Sequence, residues 1–303
     1  MRAATPKRGR ARTTTGASGK PVRARGLCPR AFRREATVSW MSGLDLGHSW
    51  ALWCSVAVRP RSHRGRGRHF LRGSKLAAEL VRAAGIRRDD LVLDLGAGTG
   101  ALTGVLARAG ARVVAVEIDP ELAAGLRRRF ADVVEGDALR VALPREPFKV
   151  VANLPFDGGT AILRRVLDPA VPLETADVIV EWGLATKRTA VWPSTQLSAY
   201  WGAWFDLSLA RRLPRCVFAP PPAVDGGLLR IVRRAEPLVP VRDRRAYAGF
   251  LARGYREGPR AVVPWAQLKR LEGELGFDRH AQPRDLDAQQ WAGLYMHAVR
   301  RSV

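Results

Sequence analysis

The sequence predicts an α/β fold, in which helices cover both faces of one sheet, followed by a small all-α domain. Apolar strand-like runs alternate with helical patterns as far as residue 234, and a glycine-rich turn joins the first buried strand to its helix. Three amphipathic segments follow without a further strand. We therefore expect a basic, disordered extension over residues 1–62, an α/β domain over residues 63–234 and a helical domain over residues 235–303.

The glycine-rich turn is the centre of the predicted α/β domain. The stretch Leu91–Gly100 reads as an apolar strand that ends in Gly96, Gly98 and Gly100, and a helical pattern begins at Ala101. Glycine lets the backbone turn sharply and approach a ligand closely, so we expect a nucleotide-like ligand here. The spacing differs from the dinucleotide fingerprint, which requires Gly-x-Gly-x-x-Gly. A strand-to-helix turn without a ligand is the alternative.

Two acidic residues follow at the ends of the next two strands. Glu117 lies at the end of the apolar run Arg112–Ile118, roughly twenty residues beyond the turn, where a carboxylate can accept hydrogen bonds from both ribose hydroxyls of a nucleoside. Asp137 ends the next short run, where it can hold an adenine amine while Ala138 and Leu139 pack on the ring. A helix N-cap is the alternative role for Asp137.

The fourth strand, Phe148–Ala152, leads into Asn-Leu-Pro-Phe at residues 153–156. An adenine N6 amine is a poor nucleophile because its lone pair is delocalised into the ring. The Asn153 amide oxygen and a neighbouring backbone carbonyl can each accept one of its N–H groups, which directs the lone pair toward a methyl donor without a strong base. Pro155 stiffens the turn, and Phe156 can stack on an extruded base. A strand-ending turn with a half-buried aromatic is the alternative.

The charge of the chain points to a polyanionic partner. The net charge is +23 and the isoelectric point is about 11.4. We favour nucleic acid over a membrane, because no run of about eighteen uninterrupted apolar residues is present to span a bilayer. Residues 1–62 are either an RNA-binding arm or an upstream extension without function. Three widely spaced cysteines predict neither a zinc site nor a disulfide framework, so a reducing cytoplasm is the expected location.

The second half of the chain is rich in aromatic residues and arginine. The aromatic residues that we expect in the core are Trp192, Tyr200, Trp201, Trp204 and Phe205. Three helices are predicted over residues 247–254, 265–274 and 287–299. We expect them to present a basic face that includes Arg244, Arg245, Arg253, Arg256 and Arg260.

Taken in order, these motifs resemble those of the ribosomal-RNA adenine N6-methyltransferases, from about residue 68 to the C-terminus. The matching elements are Arg68–Leu71 (Arg-His-Phe-Leu) before the first helix, the glycine turn, Glu117, Asp137 and Asn153–Phe156. The resemblance implies a Rossmann-like class I methyltransferase sheet. It also implies S-adenosylmethionine as the cofactor, ribosomal RNA as the partner and no metal.

The resemblance assigns roles to individual residues. It implies that catalysis is carried out by Asn153, Leu154, Pro155 and Phe156. It implies that the cofactor is bound by His69, Leu71, Gly96, Gly98, Glu117, Ile118, Asp137, Ala138 and Asn153. One position departs from the pattern, because Arg68 stands where the family usually has glutamine.

Two features favour the erythromycin-resistance branch of this family. Val180–Arg188 resembles that branch's Glu-Tyr-Gly-Phe-Ala-Lys-Arg segment, and residues 253–258 differ from the Arg-Arg-Lys-Thr-Leu stretch of the housekeeping dimethyladenosine transferases. The branch implies methylation of 23S ribosomal RNA and resistance to macrolide, lincosamide and streptogramin B antibiotics, by a cytoplasmic monomer. The alternatives are a small-subunit rRNA dimethyltransferase and a non-catalytic nucleic-acid-binding relative that keeps the fold.

Overall fold

The structure, a computed structural model, describes residues 68–299. The extension predicted over residues 1–62 lies outside the described residues. The strands are β1 (Phe70–Leu71), β2 (Leu91–Leu95), β3 (Arg112–Glu117), β4 (Val133–Glu135), β5 (Phe148–Asn153), β6 (Leu173–Glu181), β7 (Phe205–Leu213), β8 (Phe218–Ala219) and β9 (Gly226–Arg233). The helices are α1 (Ser74–Ala83), α2 (Ala101–Arg108), α3 (Pro120–Arg127), α4 (Gly159–Val166), α5 (Trp182–Thr189), α6 (Gln196–Gly202), α7 (Arg244–Glu257), α8 (Trp265–Leu275) and α9 (Ala288–Val299).

One mixed sheet of seven strands has the order β4-β3-β2-β5-β6-β9-β7. The strands from β4 to β6 run parallel, whereas β9 and β7 add to the β6 side in antiparallel pairings. This topology confirms the predicted α/β class. The strands β3 and β4 lie on one side of β2 and β5 lies on the other, so the order of the strands along the chain reverses at β2. Open α/β sheets bind ligands at such a point, at the carboxyl ends of the strands. Glu117 ends β3 and Asn153 ends β5, so the two residues flank the end of β2.

The turn after β2 has a backbone that requires glycine. The φ angles of Gly96, Gly98 and Gly100 are 78°, 57° and 79°, which residues with a side chain rarely adopt. A Cβ atom on Gly98 would also lie 2.7 Å from Cε1 of Phe70. The sharp turn predicted from the sequence is therefore confirmed, and it lets the segment before α1 pack directly against the turn.

Two strands differ from the prediction. The uninterrupted apolar run Val178–Val180 predicts that a fifth strand begins at Val178. In the structure β6 begins at Leu173, and Asp177 lies within it in a salt bridge of 2.7 Å with Arg230 of β9. Because Arg230 is distant in sequence, Asp177 looks like a strand boundary when the sequence is considered alone. No strand is predicted at β7, although residues 205–209 (Phe-Asp-Leu-Ser-Leu) alternate apolar and polar side chains, as a half-exposed edge strand does.

The three predicted C-terminal helices are present as α7, α8 and α9. Tyr247 of α7 is buried, and its ring centroid lies 5.7 Å from that of Trp204 and 5.2 Å from that of Tyr295. Arg244 is not part of an exposed basic face, because it is buried and its Nε lies 3.6 Å from Asp168 Oδ1. A buried charge needs such a partner, and this one joins α7 to the segment after α4.

The aromatic prediction is correct for all but one residue. The buried or half-buried members are Tyr200, Trp201, Trp204 and Phe205. Trp192 is 60% exposed, so its predicted place in the core is wrong. Its indole N–H donates to the carbonyl oxygen of Asp285 at 2.8 Å, which satisfies the polar edge of the ring at the surface.

Two further properties concern metals and membranes. Within residues 68–299, no group of three or more His, Cys, Asp or Glu side chains is placed to hold a metal ion. Among the described helices, none is long and apolar enough to cross a membrane.

Candidate active site

A cavity of about 940 Å³ lies at the carboxyl ends of the parallel strands. The predicted site residues that line it are His69, Gly96, Glu117, Ile118, Asp137, Ala138, Asn153, Leu154 and Pro155. Other lining residues are Arg68, Phe70, Val116, Leu122, Leu139 and Ile162. The fold thus brings residues from five separate segments to one cavity.

Leu71 and Gly98 lie beside this cavity. Leu71 lines a smaller space of about 270 Å³, which shares Gly96 and Asn153 with the larger one. Gly98 directs its backbone N–H at the side chain of Glu117, at 2.8 Å from Oε2. Its contribution to the site is therefore through the backbone.

Phe156 is half-buried behind the wall of the cavity. Its ring centroid lies 5.5 Å from that of His69 and 5.8 Å from that of Phe218, the latter in an edge-to-face contact. Aromatic pairs of this geometry are mutually attractive. They hold the Phe156 ring next to the end of β5.

Two backbone N–H groups fix the carboxylate of Glu117. Gly98 donates to Oε2 at 2.8 Å, and Asp119 donates to Oε1 at 2.9 Å. Glu117 is buried, yet each of its two oxygens keeps a further lone pair after these bonds. The carboxylate is therefore held in one orientation in the cavity wall with capacity to accept a pair of hydroxyl groups.

The segment Arg68–Leu71 forms another wall and is fixed at three points. Phe70 and Leu71 pair as β1 with β8. His69 Nδ1 lies 2.8 Å from the carbonyl oxygen of Pro220, and the His69 carbonyl accepts from Asn153 Nδ2 at 2.6 Å. The last bond ties this wall to the end of β5.

Asn153 presents an acceptor that the protein leaves unused. Its Nδ2 donates to His69, whereas its Oδ1 is buried and has no hydrogen-bond partner among the described residues. A buried polar atom without a partner costs about 1–3 kcal/mol. The geometry therefore points to a ligand that donates a hydrogen bond at this atom.

The loop after β4 supplies a further part of the cavity wall, with residues 137–139 lining it. Asp137 Oδ1 accepts from the backbone N–H of Leu139 at 2.8 Å, which closes the turn. Arg165 of α4 donates to the carbonyl of Ala138 at 2.8 Å and to that of Val141. Arg165 is not identifiable from the sequence, because no local pattern indicates that a helix residue holds this loop.

Asp94 lies behind the glycine turn and is fully buried. Burial raises the pKa of its carboxyl to about 7, and the hydrogen bond from Thr103 Oγ1, 2.6 Å from Oδ2, opposes that rise. The folded protein therefore favours the protonated form, whereas the unfolded chain ionises this group at a pH of about 4.

Asp94 should make the folded protein less stable as the pH rises. Because its folded-state pKa lies above the unfolded value, the stability that protonation provides is complete below a pH of about 4 and is lost as the pH passes through about 7. Between pH 5 and pH 8 we expect the free energy of unfolding to fall by about 2–3 kcal/mol more than in Asp94→Asn. Asparagine keeps the acceptor for Thr103. Urea unfolding at both pH values measures this, and equal pH dependence in the two proteins would contradict the assignment.

The residues of the cavity fit S-adenosylmethionine. The fixed carboxylate of Glu117 matches a ribose diol, and the apolar side chains of Ile118 and Leu122 suit an adenine ring. The buried, unpartnered Oδ1 of Asn153 belongs to a residue that lines the same cavity, and it suits the amine of a methyl acceptor. A backbone that turns through Gly96 leaves room for the remaining part of the cofactor.

A parallel sheet that brings a glycine turn and a fixed carboxylate to one edge is the architecture of Rossmann-like nucleotide-binding enzymes, a class that includes the S-adenosylmethionine-dependent methyltransferases. The family within this class follows from comparison. A model of the family described as ribosomal RNA adenine dimethylase matches residues 60–254. The chain belongs to this family and is an rRNA (adenine-N6)-methyltransferase. The non-catalytic alternative is therefore wrong.

Curated relatives include both branches of the family. The chain is 35% identical over 272 residues to the mycinamicin-resistance protein MyrB of Micromonospora griseorubida, a match that covers 84% of each chain. It is 37% identical over 274 residues to ribosomal RNA small subunit methyltransferase A of Rhodococcus opacus, which covers 80% of this chain and 90% of the relative. Identity alone does not separate the two branches.

The crystal structure of the 23S rRNA methyltransferase ErmE is similar to this fold. The TM-score is 0.67 at 29% identity, and the match covers 76% of this chain and 99% of ErmE. Together with MyrB, this similarity supports the erythromycin-resistance branch that the segment Val180–Arg188 predicts.

Proposed function

We propose that this enzyme methylates N6 of an adenine in 23S ribosomal RNA and thereby confers resistance to macrolide, lincosamide and streptogramin B antibiotics. The relatives MyrB and ErmE, one described as a resistance protein and the other as a 23S rRNA methyltransferase, support this target. The segment Val180–Arg188 supports it independently. We also propose that the enzyme acts as a monomer in the cytoplasm, where ribosomes are found.

The chemistry rests on the unpartnered Oδ1 of Asn153. It accepts one N–H of the adenine amine, and its orientation is maintained because Nδ2 is bound to His69. The carbonyl of Leu154 is the second acceptor, since the carbonyl of Pro155 already accepts from Gly158 at 3.0 Å. Two acceptors in fixed positions direct the nitrogen lone pair away from the ring, and the energy comes from positioning and electrostatics.

S-adenosylmethionine, when bound, supplies an electrophilic methyl group. Asn153 and Leu154 hold the attacking nitrogen, and no side chain needs to remove a proton first, because the nitrogen becomes strongly acidic once it has been alkylated. Pro155 fixes the turn that carries these acceptors. The apolar wall around residues 154 and 162 excludes water from the reacting atoms.

The cofactor-binding residues divide by the part of the cofactor that each would hold. Glu117 would accept from the two ribose hydroxyls. Ile118, Asp137 and Ala138 would form the adenine site. The residues that remain for the amino-acid end are His69, Leu71, Gly96, Gly98 and Asn153.

Phe156 should contribute by stacking on the target base. Phe156→Ala is expected to lower the methylation rate about tenfold to a hundredfold, because one stacked base is worth about 1–3 kcal/mol. Phe156→Tyr keeps an aromatic face and should retain most of the activity. Single-turnover methylation of an rRNA hairpin measures both. Equal rates for alanine and tyrosine would exclude a stacking role.

A small-subunit rRNA dimethyltransferase is the second candidate, because the matches to those enzymes have similar identity. Expression in a macrolide-sensitive bacterium distinguishes the 23S rRNA methyltransferase from the small-subunit enzyme. The proposal predicts a large rise in the inhibitory concentrations of erythromycin and clindamycin, which the variant Asn153→Ala does not give. Growth rescue of a strain that lacks its own small-subunit enzyme, without resistance, would favour the second candidate.

A further inference from the structure

An ion pair joins two walls of the cavity. Arg68 lines the cavity, and its Nη1 donates to Asp119 Oδ2 at 2.7 Å. Arg68 belongs to the wall that includes His69, whereas Asp119 directly follows the wall residues Glu117 and Ile118. The two side chains are only 31% and 21% exposed, so the pair is partly shielded from water.

Asp119 connects this ion pair to the carboxylate of Glu117. Its Oδ1 accepts from the backbone N–H groups of Glu121 and Leu122, which caps α3. Its own N–H donates to Glu117 Oε1 at 2.9 Å. The hydrogen bond from Arg68 is the main cause that lowers the pKa of Asp119, so the carboxylate stays charged at neutral pH. The same residue thus binds Arg68 through its side chain and Glu117 through its backbone.

We propose that Arg68 is a positioning residue for the cofactor, which acts through Asp119 to hold the Glu117 wall and the Arg68–Leu71 wall together before the cofactor binds. The inference rests on the proposed role of Glu117 as the ribose acceptor. A site that is ordered in advance loses less entropy on binding, and this raises affinity without a new contact to the ligand. The arginine that replaces the family's usual glutamine thereby gains a role.

If Arg68 acted on the cofactor only through its charge, Arg68→Ala would change the affinity for S-adenosylmethionine in the opposite direction. S-adenosylmethionine has a net positive charge, so removing a nearby cation would strengthen its binding. Loss of a positioning residue weakens binding instead. S-adenosylhomocysteine lacks the charged sulfonium, so it separates the two effects. Positioning predicts equal losses for both ligands.

Calorimetry on the full chain tests the proposal with S-adenosylmethionine and S-adenosylhomocysteine. We expect Arg68→Ala to raise the Kd of both ligands by a similar factor of roughly three- to tenfold. Asp119→Asn keeps the helix cap but weakens the ion pair, so it should act in the same direction. The double variant should bind the ligands no more weakly than the single variant with the higher Kd, because the two single substitutions break the same ion pair. Turnover at saturating cofactor should fall by a smaller factor than the rise in Kd.

Arg112→Gln is the matched control. Arg112 begins β3, at the opposite end from Glu117, and pairs at 3.1 Å with Glu146 on the surface. It should bind both ligands as the unsubstituted protein does. Unchanged or tighter binding by Arg68→Ala, or additive losses in the double variant, would overturn the inference alone. Absence of binding by the unsubstituted protein would overturn the inference and the proposed function together.

Discussion

Replacing Asn153 with alanine is expected to lower the single-turnover rate of methylation by about 100- to 1,000-fold at saturating cofactor. The substitution deletes the buried Oδ1 acceptor that the protein leaves free for the adenine amine. Without this acceptor, the lone pair of the adenine amine stays conjugated with the ring for most of the time that the base is bound. Rapid-quench measurement with an rRNA hairpin gives the rate of the chemical step directly.

Asn153→Ala also removes the hydrogen bond to the His69 carbonyl, so a control is needed for movement of that wall. His69→Ala removes the contacts of the imidazole with Pro220 and Phe156, but it keeps the backbone carbonyl that accepts from Asn153 Nδ2 and leaves Asn153 Oδ1 in place. At saturating cofactor it should cost less than about tenfold. A wild-type rate for Asn153→Ala would show that the amine is not positioned by this residue.

Replacing Glu117 with alanine is expected to raise the Kd for S-adenosylmethionine by about 100-fold or more. The carboxylate would accept two ribose hydroxyls, and hydrogen bonds to a charged group are worth about 1.5–3 kcal/mol each. Because the ribose is bound equally in the ground state and the transition state, turnover at saturating cofactor should fall far less. Calorimetry and a cofactor titration of the rate measure the two quantities.

Two variants make the test of Glu117 sharper. Glu117→Gln has one oxygen only, so its amide N–H₂ would face the backbone N–H of Gly98 or of Asp119, and we expect an intermediate loss. Glu121→Gln changes an exposed acid in the first turn of α3 and should leave affinity unchanged. Cofactor affinity that is the same in Glu117→Ala as in Glu121→Gln would exclude the ribose role.

The sequence predicts the parts of the site that come from local patterns. A strand, a glycine turn and a helix are encoded within residues 91–108, and glycine is the residue type that permits the positive φ at position 98. Glu117 and Asn153 are predictable because parallel strands bring their carboxyl ends to one edge. These two residues do flank the end of β2.

The remaining features depend on partners far apart in the chain. The bond from Asn153 to the His69 carbonyl joins residues 84 positions apart, and the Arg68–Asp119 pair joins residues 51 positions apart. Neither of these two contacts leaves a periodic pattern in the sequence. β7 is a different case, because residues 205–209 alternate apolar and polar side chains and so carry a local strand signal, while β9 sets the register of their pairing.

The most direct test of the central claim is mass spectrometry of naked 23S and 16S ribosomal RNA after incubation with the purified full-length enzyme and S-adenosylmethionine. Nuclease fragments locate the modified nucleotide and show whether it carries one methyl group or two. The account predicts N6-methylated adenine in 23S rRNA and none in 16S rRNA, with the product absent for Asn153→Ala. Modification of 16S rRNA alone, or of neither RNA, would contradict it.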